Sequence, residues 1–236
     1  MIPLKDDIPR RSFPLVTVLL ITANVAVFLY QVSLGAGGDP AAARAARELV
    51  TDFGTVPCRL SGACRAPEAF PPPMVTIVTS MFLHGGLFHI GGNMLYLWIF
   101  GNTVEGELGH GRYLLFYVLA GVAAAVAQTV VDPDSAVPMV GASGAISGVL
   151  GAYLLLFPYA RILTLVSFGF FIRFVHVPAV LVLGFWIVVQ LLNGFLTVAA
   201  ATGGRSGGVA WFAHIGGFAA GLALLFVLRD RRARRL

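Results

Sequence analysis

Long apolar stretches, separated by short polar connectors, are the dominant pattern of the chain. Six are long and apolar enough to cross a bilayer, which takes about 20 residues at ~1.5 Å each: roughly 13–34, 88–108, 113–131, 141–157, 176–200 and 209–228. The fourth is the shortest; it opens with Gly141-Ala142-Ser143-Gly144 and stops at Pro158, so it is expected to begin below the membrane surface. Between the first two stretches lies a long polar loop, about residues 35–87. It holds a helix-prone segment from Pro40 to Val50, the triplet Pro71-Pro72-Pro73 and an apolar run from Met74 to Leu83. That run is too short to span, which leaves it lying in the interface or tucked against the bundle. Residues 161–175 are apolar but broken by Arg161, Gly169 and Arg173, a pattern that predicts an interfacial hairpin on the cytoplasmic side. No repeat or low-complexity tract interrupts the series. The pattern defines an all-α membrane protein: a six-transmembrane-helix bundle with a long extracytoplasmic first loop, spanning residues 13–228 between an N-terminal tail, 1–12, and a basic tail, 229–236.

Composition supports lipid as the surroundings, because 58% of residues are hydrophobic and only 11% charged, too few for the skin of a soluble domain of this size. The net charge of +5 then speaks about orientation. With six spans both termini share a side, and that side carries Lys5, Arg10, Arg11, Arg112, Arg161, Arg173, Arg229, Arg231, Arg232, Arg234 and Arg235. Opposite stand Arg44, Arg47, Arg59, Arg65 and Arg205. The positive-inside rule places the richer side, and both termini, in the cytoplasm; length and charge suit a bacterial inner membrane. Nucleic acid is an unsuitable partner, since the arginines flank spans and are not interleaved with aromatics on an exposed face. Phe13 to Leu34 exceeds a signal-peptide core and lacks a clean cleavage signature, so it reads as a retained helix. Cys58 and Cys64 both fall in the first loop, where a disulfide and two free thiols are equally compatible with the spacing.

Polar residues inside the membrane are costly unless satisfied, so their positions carry the functional signal. Under this topology the second, fourth and sixth spans begin at the same outer level. There lie His84, His89 and Asn93 on the first of them, Ser143 on the next and His214 on the last. His89 and Asn93, four apart, share a helix face. Gly144 with Gly148, and Gly217 with Gly221, form two GxxxG pairs that let helix backbones approach closely in lipid. Packing those helices together would bring Ser143 to His214. A serine hydroxyl needs a base to remove its proton, and a neutral imidazole is the usual one. Asp132 and Asp134 lie in a loop and Glu105 and Glu107 at the far end of the second span, so no buried acid is expected and the pair is a Ser-His dyad without a carboxylate. His89, Asn93 and the Ser143 amide are candidate donors to an oxyanion. A lone membrane serine usually back-bonds to its own turn and a lone histidine usually bridges helices; convergence of five polar residues at one depth favours chemistry.

The combination of His84-Gly-Gly-Leu-Phe-His89-Ile-Gly-Gly-Asn93, Glu105 with Gly109, Gly141-Ala-Ser143-Gly144, and Ala213-His214-Ile-Gly-Gly217 with Gly221 resembles the rhomboid intramembrane serine proteases across roughly residues 75–228. The resemblance implies that Ser143 attacks the scissile carbonyl, that His214 shuttles the proton, and that His89 and Asn93 line the oxyanion hole. By the same token His84, Gly141, Gly144, Gly217 and Gly221 support the site, and Glu105 belongs to a structural Glu-x-x-x-Gly element. It further implies single-span transmembrane proteins as substrates, cut near the outer boundary at a small residue, with neither metal nor other cofactor. Two features depart from the family pattern. Ser147 stands where many members carry an aromatic that packs on the histidine, so His214 must be positioned from elsewhere; and a Trp-Arg pair of the first loop is absent. Rival readings are a non-proteolytic rhomboid-like protein that binds membrane helices, a three-imidazole metal site from His84, His89 and His214, and a transporter. The metal site has no carboxylate or cysteine beside it, and nothing suggests the inverted repeats of a transporter. Thr202 to Ala210, with glycines at 203, 204, 207 and 208, is either a mobile cap or a plain connector.

Overall fold

The computed structural model describes residues 1–65, 71–168, 171–200 and 209–229; the glycine-rich stretch 202–208 and the end of the basic tail lie outside them. Among the described residues four helices are long and apolar enough to cross a membrane: α1 (Leu15–Gly35), α7 (His110–Val131), α9 (Ala179–Ala200) and α10 (Trp211–Leu228). The segment after α1 contains α2 (Pro40–Phe53) and α3 (Pro57–Ser61) and leads to α4 (Pro73–Thr79). After a 3-10 turn at Ser80–Phe82 the chain bends by 84°. It then runs through α5 (Leu87–Tyr96), a π turn at Leu97–Gly101, and α6 (Asn102–Leu108). The Met74–Leu83 run thus tucks against the bundle, with Ile77 and Met81 buried in the core.

At the centre stands α8 (Ser143–Leu156), 14 residues and so about 21 Å long, short of the ~30 Å hydrocarbon layer. It is buried almost continuously from Ala145 to Tyr153. The other helices enclose it and turn their large apolar side chains outward: Leu19 and Leu29 on α1, Phe185 and Phe195 on α9, Phe226 on α10 are all well exposed. Water would not tolerate such a surface, whereas hydrocarbon matches it.

Small residues set the spacing around α8. A methyl group on Gly217 would overlap the Gly144 carbonyl, and one on Gly221 the Gly148 carbonyl. On the opposite side Ala120 and Ala124 of α7 press on Gly148 and Gly144. Because the close atoms are backbone on one face and alanine methyls on the other, no side chain can swing aside. Gly221→Val is expected to lower stability by about 3 kcal/mol, the upper range for overpacking, read as a lower thermal unfolding midpoint in detergent.

One element departs from an all-helical chain. Arg161–Phe168 (β2) and Phe171–Pro178 (β3) form an antiparallel hairpin, and Ile2–Lys5 (β1) pairs with β2 to complete a three-stranded sheet in the order β1-β2-β3. The predicted hairpin is therefore a β-hairpin, with Ile162 and Thr164 buried on its inner face, and the N-terminal tail contributes Ile2–Lys5 to the sheet. From the end of β1, Asp6 reaches Thr103 Oγ1 at 2.7 Å and Tyr153 of α8 at 3.0 Å. Burial holds the Asp6 carboxyl above the ordinary aspartate value of about 3.9, against the opposing pull of those hydrogen bonds. The folded chain then binds this proton more tightly than the unfolded one, so stability falls as pH rises from the unfolded value through the folded one. Asp6→Asn, whose amide oxygen can accept both bonds, is expected to flatten that fall when unfolding midpoints are compared between about pH 4 and about pH 7.

An acid is buried after all. Glu105 is 1% exposed and accepts from Val16 N at 2.8 Å, Thr17 N at 2.8 Å and Thr17 Oγ1 at 2.7 Å, while His110 Nδ1 lies 2.6 Å away. A carboxylate there satisfies the free amides at the start of α1 and suits the positive end of that helix. The sequence reading missed its burial because a glutamate near a span end reads as interfacial. Nearby, Glu107 pairs with Arg11 at 2.8 Å.

At the other end of the bundle, Cys58 and Cys64 are joined by a disulfide, which resolves the choice the spacing left open. Cys58 N donates to Ser135 O at 3.0 Å, and Thr55 forms a bridge with Met139. The first loop is thereby stitched to the connector that leads into α8.

Candidate active site

Ser143 is the first residue of α8. Just ahead of it Gly141 adopts φ +120°, a backbone state that side chains disfavour, and its N–H donates to Ser80 O at 2.9 Å. At the start of α10, Phe212 N and Ala213 N donate to Gln128 Oε1 of α7 at 3.1 and 3.3 Å. That amide caps two orphan donors and ties α10 to α7 one residue before His214. With the α8–α10 seam closed by glycine contacts, Ser143 Oγ and His214 Nε2 stand 2.8 Å apart.

Around this pair the orientation of each group can be read from its partners. His214 Nδ1 is 2.8 Å from Gln190 Oε1 of α9, and Trp186 and Trp211 flank the imidazole with ring centroids 6.0 and 6.4 Å away. Ser147 turns away and donates to the Ser143 carbonyl at 2.6 Å. His89 Nδ1 accepts from Gly85 N at 3.2 Å, which leaves the proton on Nε2, beside Gly141. Asn93, buried on the same face, has an Nδ2 without a protein acceptor among the described residues. Ser143, Gly141, Gly144, His89, Asn93 and His214 all line one cavity of about 680 Å³. Its only formally charged lining residue among those described is Asp132, at the end of α7.

His84 does not line that cavity. It is 2% exposed, packs edge-on to His89 at 5.1 Å, and its backbone is clamped by Gln31 of α1 through both amide groups. Gly217 and Gly221 lie along the helix seam, away from the cavity. Among the described residues no three His, Cys, Asp or Glu side chains converge as metal ligands. Gln190, Gln128 and Trp186 were missed in the sequence. The signal was present for Gln190, since a glutamine midway along an apolar span calls for a partner.

Helices apolar enough to cross a bilayer, packed around a cavity where a serine hydroxyl meets an imidazole, define the class: an integral membrane protein. The chain belongs to the rhomboid family, for residues 72–231 match the Rhomboid domain. It is 35% identical over 148 residues to Rhomboid protease GluP of Bacillus subtilis, covering 63% of this chain and 25% of that protein. It is 32% identical over 170 residues to Rhomboid protein 1, mitochondrial, of Saccharomyces cerevisiae, with 69% and 45% covered. To RHOMBOID-like protein 5 of Arabidopsis thaliana it is 32% identical over 152 residues, with 64% and 43% covered. The matched region thus spans between a quarter and just under half of these relatives' own length.

Proposed function

We propose that this chain is an intramembrane serine endopeptidase that cuts single-span membrane proteins near the extracytoplasmic boundary of the bilayer. The observation that carries this reading is the 2.8 Å contact between Ser143 Oγ and His214 Nε2. In the proposed reaction His214 Nε2 takes the hydroxyl proton as Oγ bonds to the substrate's carbonyl carbon. The developing oxyanion is met by Asn93 Nδ2, by the Nε2–H of His89 and by the Ser143 amide at the N-terminus of α8. When the intermediate collapses, the carbon–nitrogen bond breaks and the imidazolium returns its proton to the leaving amine. Water then hydrolyses the acyl-enzyme by the same route in reverse.

The accompanying topology has six spans: α1, the α5–α6 rod, α7, α8, α9 and α10. Both termini lie in the cytoplasm, in a bacterial inner membrane, with the disulfide-bearing first loop outside. An oxidising exterior suits Cys58–Cys64, and the arginine bias along the sequence agrees. The test is reconstitution of the protein in lipid vesicles with a single-span protein carrying a small residue at its outer boundary. Cleavage that a fluorophosphonate blocks is expected; an intact substrate beside folded protein, across several such sequences, would refute the reading.

A further inference from the structure

We infer that Gln190 is the positioning residue of this site: it holds His214 in the tautomer that presents the Nε2 lone pair to Ser143, the task an acid performs in a Ser-His-Asp triad. The inference rests on the proposed function above. It starts from a row of hydrogen bonds. Gln190 Nε2 donates to the Trp186 carbonyl at 3.2 Å, and Gln190 Oε1 lies 2.8 Å from His214 Nδ1. A carbonyl can only accept, so the Trp186 oxygen requires the NH2 end of the amide on its side. The oxygen end must then face His214, and an amide oxygen can only accept, so Nδ1 carries the proton. Nε2 is left as an acceptor, 2.8 Å from the Ser143 hydroxyl.

The direction of every bond is therefore set from the backbone of α9 outward to Ser143. Gln190 is 5% exposed and the Trp186 ring lies alongside the imidazole, so water has little access to compete for Nδ1. This also answers how His214 is steered when Ser147 offers no aromatic ring. The other titratable groups that share the cavity are His89 and Tyr96 of α5 and Asp132 at the end of α7. Besides Ser143 and His214, α8 brings only Tyr153, at its far end, and α9 and α10 bring none. No carboxylate supports the imidazole directly, which makes the neutral amide its sole hydrogen-bonded orienter among the described residues.

The test uses the full chain in detergent and a fluorophosphonate probe, whose fluoride leaves as Ser143 Oγ bonds to phosphorus and His214 takes the proton. Labelling rates are followed from about pH 5 to about pH 9 for wild type, Gln190→Met and Gln190→Glu. Gln190→Met fills the same space without an acceptor, and its labelling is expected to slow by about tenfold or more. Gln190→Glu keeps the acceptor and adds charge; it is expected to retain labelling while its acidic limb moves to higher pH, since a carboxylate at Nδ1 favours the imidazolium, which cannot act as base. Unfolding midpoints are measured alongside. Wild-type labelling matched by Gln190→Met within about twofold, with an unchanged pH profile, would overturn the inference. Should the methionine variant unfold, an unmoved acidic limb in Gln190→Glu would overturn it as well. A folded wild type that takes no label sinks the proposed function itself, and any role for Gln190 with it.

Discussion

Ser143→Ala is expected to cut the rate of substrate cleavage in vesicles by a factor on the order of 10³ or more, and His214→Ala by a similar factor. In the proposed mechanism neither group is competent alone: the hydroxyl at 2.8 Å becomes a nucleophile only while the imidazole removes its proton. Groups that act as a unit are non-additive, so the double variant should lose no more than either single one. Folding separates this from a structural account. The only hydrogen bond that the Ser143 side chain makes among the described residues is to His214, so Ser143→Ala should keep its stability to within about 1 kcal/mol. Cleavage surviving in Ser143→Ala would refute the mechanism.

Glu105→Ala is expected to have the reverse profile. Removing the carboxylate strands Val16 N, Thr17 N and Thr17 Oγ1 at the start of α1. Charge-assisted bonds to buried groups contribute more than neutral ones, and breaking a buried charged cluster costs about 3–5 kcal/mol. Glu105→Gln should lose roughly half as much, because its oxygen can still accept while its NH2 meets another donor. Denaturant titration in detergent reads both. Since Glu105 does not line the cavity, folded Glu105→Ala should label with fluorophosphonate at the wild-type rate. A loss below about 0.5 kcal/mol would contradict the clamp.

Much of the fold was legible because the membrane rewards simple patterns. Five of the six long apolar stretches became single helices and 88–108 became α5, a π turn and α6 in succession, for a backbone in hydrocarbon must satisfy its own hydrogen bonds. The nearness of Ser143 and His214 was legible through Gly144, Gly148, Gly217 and Gly221, since spaced small residues announce backbone contact. Long-range pairing was not. Ile2, Pro3 and Lys5 find Leu165, Thr164 and Leu163 through contacts that no local periodicity encodes, and the apolar hairpin residues read as interface. The 84° bend after Phe82 likewise hides in a run too short to interpret. Gln190 was visible as a polar intruder, but its meeting with His214 depends on how far α9 is rotated about its axis, which an almost uniformly apolar helix does not reveal.

The three attachments of α8 constrain how anything bulky reaches the cavity. One end is held by Tyr153 on Asp6 and by the sheet that anchors Asp6; the other by Gly141 on Ser80; and along its length carbonyls abut glycines without slack. A piston stroke of this helix would break all three attachments together. Any movement that widens the cavity has to take place around a stationary Ser143.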